Sequence, residues 1–146
     1  MNLSIKIKRL DENAKMPEHG SAAAAGYDVF ACINEVIDLH PHETVKISTG
    51  LSMAIPDGYW AGVFARSGLA TKEGLRPANC VGVIDSDYRG PIIVAVHNDS
   101  NETRHIEPGE KIAQIIILPF VYWDIEETDI LDSTERGSGG FGSTGK

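Results

Sequence analysis

The chain predicts an all-β fold, a jelly-roll-like β-sandwich or barrel with one short helix and a Gly-rich C-terminal arm, and three observations predict it. Apolar residues fall in many short, closely spaced runs, the first with a clean period of two. Turn chemistry separates the runs: Pro56-Asp57-Gly58, Arg89-Gly90-Pro91 and Glu107-Pro108-Gly109. Only one segment carries helix start and stop signals.

Taken in order, residues 3–8 alternate Leu, Ser, Ile, Lys, Ile, Lys, as a half-buried strand does. The alanine run at 22–25 has helix propensity but is cut off by Gly26. Strands are expected at 35–39, 45–47 and 59–65. A short helix follows at 67–72, with Ser67 as N-cap and Gly74 as stop. Further strands are expected at 80–84, 92–97 and 111–118. From Glu126 the apolar pattern fades, which divides the chain into a jelly-roll domain, 1–125, and a flexible arm, 126–146. No internal repeat is present.

A length of 146 residues suits one domain with a real core, and a net charge of −8 spread along the chain argues against gripping a nucleic acid polymer through a basic face. An anionic ligand must then be small and locally neutralised. Cys32 and Cys80 have no metal-ligand spacing, and their redox state stays open, with reduced thiols the default. Neither a hydrophobic signal core nor an apolar run of membrane-spanning length is seen, so the expectation is a cytoplasmic protein that does not contact membranes. The five histidines form no HxH or HExxH pattern and read as surface residues.

The arm is the most informative segment. Residues 136–145 are half glycine, with Arg136, Phe141 and the hydroxyls of Ser138, Ser143 and Thr144 set among them. Glycine lets backbone N–H groups approach an anion closely, while a cation and an aromatic ring add a phosphate grip and a base stack. Gly137, Gly139 and Gly142 fit G-x-G-x-x-G, but no helix follows, so a Rossmann turn is not expected. A phosphate-binding loop of the Walker type is not expected either, because Ser143 stands where its lysine belongs. Composition alone also fits a Gly/Ser tail.

Further constellations lie upstream. Gly82-Val83-Ile84-Asp85-Ser86-Asp87-Tyr88 runs an apolar strand into two carboxylates and a tyrosine, where a carboxylate can orient and deprotonate water; the same residues also make an ordinary turn. Arg66-Ser67-Gly68 ends another strand, offering phosphate a guanidinium and unpaired N–H groups, or simply a surface arginine beside a cap. Asp28 and Gln114 are single polar residues in otherwise apolar runs, and each is satisfied equally by bonds within the core.

Five segments, Ala25–Asp28, Arg66–Gly68, Gly82–Tyr88, Gly109–Gln114 and the glycine arm, resemble in order and spacing the five motifs of the homotrimeric deoxyuridine triphosphatases, and the resemblance covers nearly the whole chain. It implies a jelly-roll trimer with active sites shared between subunits, each arm closing over a neighbour's site. It further implies Mg²⁺-dependent hydrolysis of dUTP to dUMP and pyrophosphate, which keeps uracil out of DNA and supplies dUMP for thymidylate synthesis. By the resemblance Asp85 activates the water that attacks the α-phosphorus, Tyr88 packs under the deoxyribose, and Asn79, Val83, Ile84 and Ile93 surround uracil. Arg66, Ser67, Gly68 and Gln114 match phosphate-binding positions. Arg136, Phe141, Gly142, Ser143 and Thr144 match the arm, with Phe141 on the base. Asp28 matches a carboxylate that reaches the metal through water. Ala65 stands where the family often has proline, and Pro91 must sit where no ladder bond is needed. Two alternatives are a deoxycytidine triphosphate deaminase-like enzyme, which needs a polar group at the base where this chain has Ile92-Ile93-Val94, and a trimeric nucleotide-binding module without turnover.

Overall fold

The computed structural model describes residues 4–142 and 145. Twelve strands are found among them: β1(Lys6–Arg9), β2(Glu18–His19), β3(Tyr27–Phe30), β4(Ile37–Leu39), β5(Thr44–Ser48), β6(Leu51–Ala54), β7(Tyr59–Phe64), β8(Leu75–Pro77), β9(Val81–Ile84), β10(Ile93–Asn98), β11(Arg104–Ile106) and β12(Lys111–Pro119). Every pairing is antiparallel, in sheets ordered β2-β3-β12-β7-β9, β5-β10-β8, β1-β6 and β11-β4.

The two larger sheets enclose the core. On β10 the side chains alternate strictly, with Val94, Val96 and Asn98 buried and Ile93, Ala95 and His97 directed away. Val94 and Val96 join Ile47 of β5, and meet Val29, Ala61, Val63, Ala113 and Ile115 of the five-stranded sheet. β12 is central in that sheet, and none of its positions before Pro119 is exposed on either face, in keeping with its nearly unbroken apolar run. Strands β2, β3, β6, β8 and β11 were not foreseen. Leu51-Ser52-Met53 is buried at all three positions and so does not alternate, while Pro77 in β8 is tolerated because that strand pairs on one side only.

The one helical segment, Leu69–Glu73, is a π-helical turn, and it ends at Gly74 in the left-handed region (φ 72°), whose N–H donates to the Leu69 carbonyl. Ser67 does not cap it. Ser67 and Gly68 already wind as an α-helical turn, with the Ala70 N–H donating to the Arg66 carbonyl at 3.0 Å, so Ser67 lies inside the first turn and its exposed hydroxyl makes no capping bond. No helix among the described residues is long and apolar enough to cross a membrane.

Asn98 ties the end of β10 to the surrounding loops. Its fully buried amide donates to the carbonyls of Leu39, His40 and Glu102 at 3.0, 3.2 and 2.8 Å and accepts from the Ser100 N–H and hydroxyl. Asn98→Ala should therefore lower unfolding free energy by roughly 2–3 kcal/mol, since it strands several carbonyls in the interior. A urea titration that found less than about 0.5 kcal/mol would show that water replaces the amide without penalty.

Candidate functional site

Two groups of the singled-out residues are assembled at opposite ends of the β7–β9 pair. Phe64 faces Val81 and Ala61 faces Ile84, so Arg66 lies beyond one end and Asp85 beyond the other. At about 3.3 Å per residue their backbones are more than about 10 Å apart.

The first group surrounds the turn between β9 and β10. The Tyr88 N–H donates to the Asp85 carbonyl at 3.2 Å, closing the turn, and Arg89 Nη1 reaches back to the Ser86 and Tyr88 carbonyls. The Tyr88 ring folds across Gly90, where any Cβ would collide with it, and its hydroxyl donates to the Pro91 carbonyl at 2.9 Å. Pro91 itself precedes β10, where no ladder N–H is required. Two adjoining hollows follow. One, of about 230 Å³, is lined by Asp85, Tyr88 and Pro91 together with Val83, Ile84 and Ile93. The other, of about 120 Å³, shares those last three residues and adds Asn79 and Gly82. Val83 and Ile93 are 62% and 47% exposed, a poor use of apolar side chains unless something flat and apolar covers them. Asp85 is exposed at the mouth.

The second group is ionic. Asp28 on β3 faces Gln114 on β12, which in turn faces Phe64 on β7. The Gln114 amide donates to the Ala65 carbonyl at 2.9 Å, and a Cβ at Gly26 would collide with its oxygen, which accounts for glycine at that position. Asp28 accepts from Arg66 Nε at 3.0 Å and from Lys111 Nζ at 2.9 Å. Burial raises its carboxyl pKa, but the Lys111 hydrogen bond and the two cationic charges outweigh that and hold it below the usual value. Among the described residues only the Nε of the Arg66 fork is engaged, so its two Nη groups are available to an anion. Lys111 was missed by the sequence reasoning, although its place directly after Gly109-Glu110 was a usable signal.

Past Tyr122, which reaches the Ser86–Asp87 turn, the arm makes no hydrogen bond to either group among the described residues. β12 ends at Pro119, and the residues from Val121 to Ser138 are all exposed, a start earlier than Glu126, where the apolar pattern fades. Phe120 N–H to the Gly58 carbonyl and Tyr122 hydroxyl to Asp57 hold its base. Beyond Tyr122, hydrogen bonds among the described residues are internal, as in Arg136 Nε to the Gly139 carbonyl at 2.9 Å. Phe141 is fully exposed at φ 50°, and Gly142 follows at φ 90°. Ser143 and Thr144 lie outside the described residues.

No cluster of three or more His, Cys, Asp or Glu suited to a metal occurs among the described residues. Cys32 and Cys80 are both free thiols. His19, His40, His42 and His105 are exposed, while His97 is half-buried and pairs with Thr44 at 2.8 Å.

Comparison with known proteins places this geometry in context. The dUTPase family model matches residues 12–145. The chain is 48% identical to the deoxyuridine 5'-triphosphate nucleotidohydrolase of Desulfitobacterium hafniense, over 97% of each chain. It is 44% identical to that of Psychromonas ingrahamii, over 100% of this chain and 97% of the relative. Among solved structures, a Staphylococcus bacteriophage 80alpha dUTPase variant with dUpNHpp superposes with a TM-score of 0.87 at 31% identity, covering 99% of this chain and 100% of that one. A variant dUTPase from phage phi11 of S. aureus, solved with the coordination of a structural Mg(II) ion, gives 0.80 at 27% identity, covering 90% of this chain and 100% of that one.

The lowered Asp28 pKa fixes a pH dependence. Its stabilisation is complete above the unfolded value of about 3.9 and disappears as pH falls through the lower folded value. Asp28→Asn should thus be less stable than the parent by roughly 1–2 kcal/mol at neutral pH, the partial exposure of the pair keeping the figure modest. Denaturation midpoints of the two proteins should converge as pH drops below about 4; a gap unchanged there would mean the charge is not what Arg66 and Lys111 hold.

Proposed function

The chain belongs to the dUTPase family, so it hydrolyses dUTP, and from that premise we propose how its residues divide the reaction to dUMP and pyrophosphate. The observation that carries the assignment is Asp85: an exposed carboxylate set at the mouth of an apolar cleft, beside a tyrosine ring locked by its own hydrogen bond.

In this reading uracil lies between Val83, Ile84 and Ile93, with Asn79 at the rim and backbone groups of β9 and β10 reading the base edge. Tyr88 packs under the deoxyribose. Because its hydroxyl is committed to the Pro91 carbonyl, the ring cannot swing away to admit a 2′-hydroxyl. Asp85 holds a water and takes its proton as the oxygen bonds to the α-phosphorus, while the bond from that phosphorus to the bridging oxygen breaks and pyrophosphate leaves. General-base assistance of this kind is worth roughly 10²- to 10⁴-fold in rate.

Arg66, Ser67, Gly68 and Gln114 bind the phosphates, and Lys111 adds charge to the same cluster. Separation of that cluster from Asp85 along the β7–β9 pair supports a site completed by other copies of the chain, in a homotrimer. The exposed arm supports the same arrangement: Arg136, Phe141 and Gly142, with Ser143 and Thr144, cover a neighbour's nucleotide, Phe141 on uracil and the rest on the γ-phosphate. Asp28, already shared by two cations, retains acceptor capacity for a hydrogen bond from a water. This fits Mg²⁺, which takes most of its ligands from water and substrate phosphates rather than from a protein cage. When bound, Mg²⁺ neutralises triphosphate charge that an acidic chain cannot neutralise alone.

Pyrophosphate release from a panel of nucleotides tests the assignment. It should be confined to dUTP, absent for UTP and dCTP, and lost with chelator; ammonia from dCTP would replace this reading with deamination. Asp85→Asn should lower kcat by about 10²-fold or more while dUTP affinity is kept, and retained turnover would remove Asp85 as the base. Truncation after Glu135 should cripple turnover and leave the sedimentation of the assembly unchanged. Dissociation of the truncated protein would make the arm structural instead.

A further inference from the structure

Arg76 makes a set of contacts that the function above does not use. It lies on β8 opposite His97 of β10. Its Nε and Nη2 form a two-pronged fork with the Asp99 carboxylate, the Nη2 bond at 3.0 Å. Asp99 is itself fixed, because its N–H donates to the carbonyl of Gly74 at 2.8 Å and His97 Nε2 lies 3.4 Å from its carboxylate. The Arg76 hydrogen bond is the main reason that the Asp99 carboxyl stays below its usual pKa.

The remaining nitrogen faces the other way. Nη1 donates to the carbonyls of Pro77 and Ala78 at 3.0 and 3.3 Å and lies 3.6 Å from Cys80 Sγ. These are residues of the turn that links β8 to β9. Cys80 N–H donates back to the Pro77 carbonyl at 3.1 Å, and Cys80 sits at φ 63°, a conformation that a side chain disfavours. Asn79 forms the tip of this turn, and its amide lies over Gly82, where a Cβ would come within 3.3 Å of the nitrogen. The strained turn thus borders the smaller hollow, and the guanidinium grips it from outside.

We propose that the Arg76–Asp99 fork positions the Pro77–Cys80 turn and thereby sets the base selectivity of the adjoining cleft. Isolated surface ion pairs contribute little. This one differs in that a single planar group joins a fixed carboxylate to two carbonyls of a turn that would otherwise relax. Lysine cannot do this, since an ammonium lacks the rigid fork. Arg76 touches no substrate, so it is a positioning residue.

The inference rests on the base-cleft reading, and the experiment separates the two. In Arg76→Ala and Asp99→Asn, the KM for dUTP should rise about tenfold with kcat within about threefold, and pyrophosphate release from dCTP, absent in the parent, should become measurable. Arg76→Lys should not restore either value. Melting temperature and circular dichroism identify the variants that are folded, and the isosteric Asp99→Asn keeps the test available if Arg76→Ala is not. Asn79→Ala is measured alongside. If it raises KM while the folded Arg76 and Asp99 variants match the parent, or if Arg76→Lys behaves as the parent, the positioning role falls alone. An unchanged KM in Asn79→Ala would instead remove the base-cleft reading, and with it the inference.

Discussion

The lateral register of β3, β12 and β7 is the constraint on which the rest depends. One row across these strands holds Asp28, Gln114 and Phe64 side by side, and the next step along β7 brings Ala65 and Arg66. A one-residue slip of β12 would exchange its two faces, take the buried Ala113 and Ile115 off the core side and carry Gln114 away from the Ala65 carbonyl. Core packing and the geometry of the Asp28, Gln114 and Arg66 cluster are therefore specified by the same pairing. Gly26 belongs to this constraint as well, because the space that its missing side chain leaves is filled by the Gln114 amide.

Charge is arranged on the same principle. A chain with net charge −8 that must receive a triphosphate cannot rely on its overall field, which repels the ligand. Arg66 and Lys111 are instead gathered around Asp28, a carboxylate that balances two cations without neutralising both. The cations are held in place before any ligand arrives, so binding need not order two long side chains.

Much of this was legible in the sequence, and the limits have physical causes. Strands β7, β9, β10 and β12 announced themselves by runs that end in turn chemistry, and Asp85, Tyr88 and Arg66 stood where those runs stop. β3 was obscured because Ala22–Ala25 reads as helix up to Gly26, although Asp28 at its centre was singled out for its polarity. Strand β6 is buried on both faces and so loses the alternation that marks a strand. Ser67 was misread as a cap because residue type alone does not fix where the first turn begins, and here that turn already includes Ser67. The position of Lys111 directly after Gly109-Glu110 could have singled it out, but its contact with Asp28 is long-range and local composition does not name the partner. The Arg76 grip was invisible for the same reason: its partners lie on a turn and beyond a neighbouring strand, joined only by the β8–β10 register.

The arm shows why exposure there is compatible with function. Ordering a residue's backbone costs about 1–2 kcal/mol, and glycine loses the most freedom. Stacking of one aromatic ring on a base returns about 1–3 kcal/mol. Phe141 alone therefore cannot hold down a segment as glycine-rich as 136–145. In the proposed arrangement the balance comes from contacts to phosphate charge, through Arg136 and backbone N–H groups of the kind that positive-φ residues such as Gly137 and Gly142 present. On the proposed reading, an arm balanced in this way orders only when base and phosphate chain are both present, and its affinity falls once the chain is cut, so that the same glycines would admit substrate and release the products.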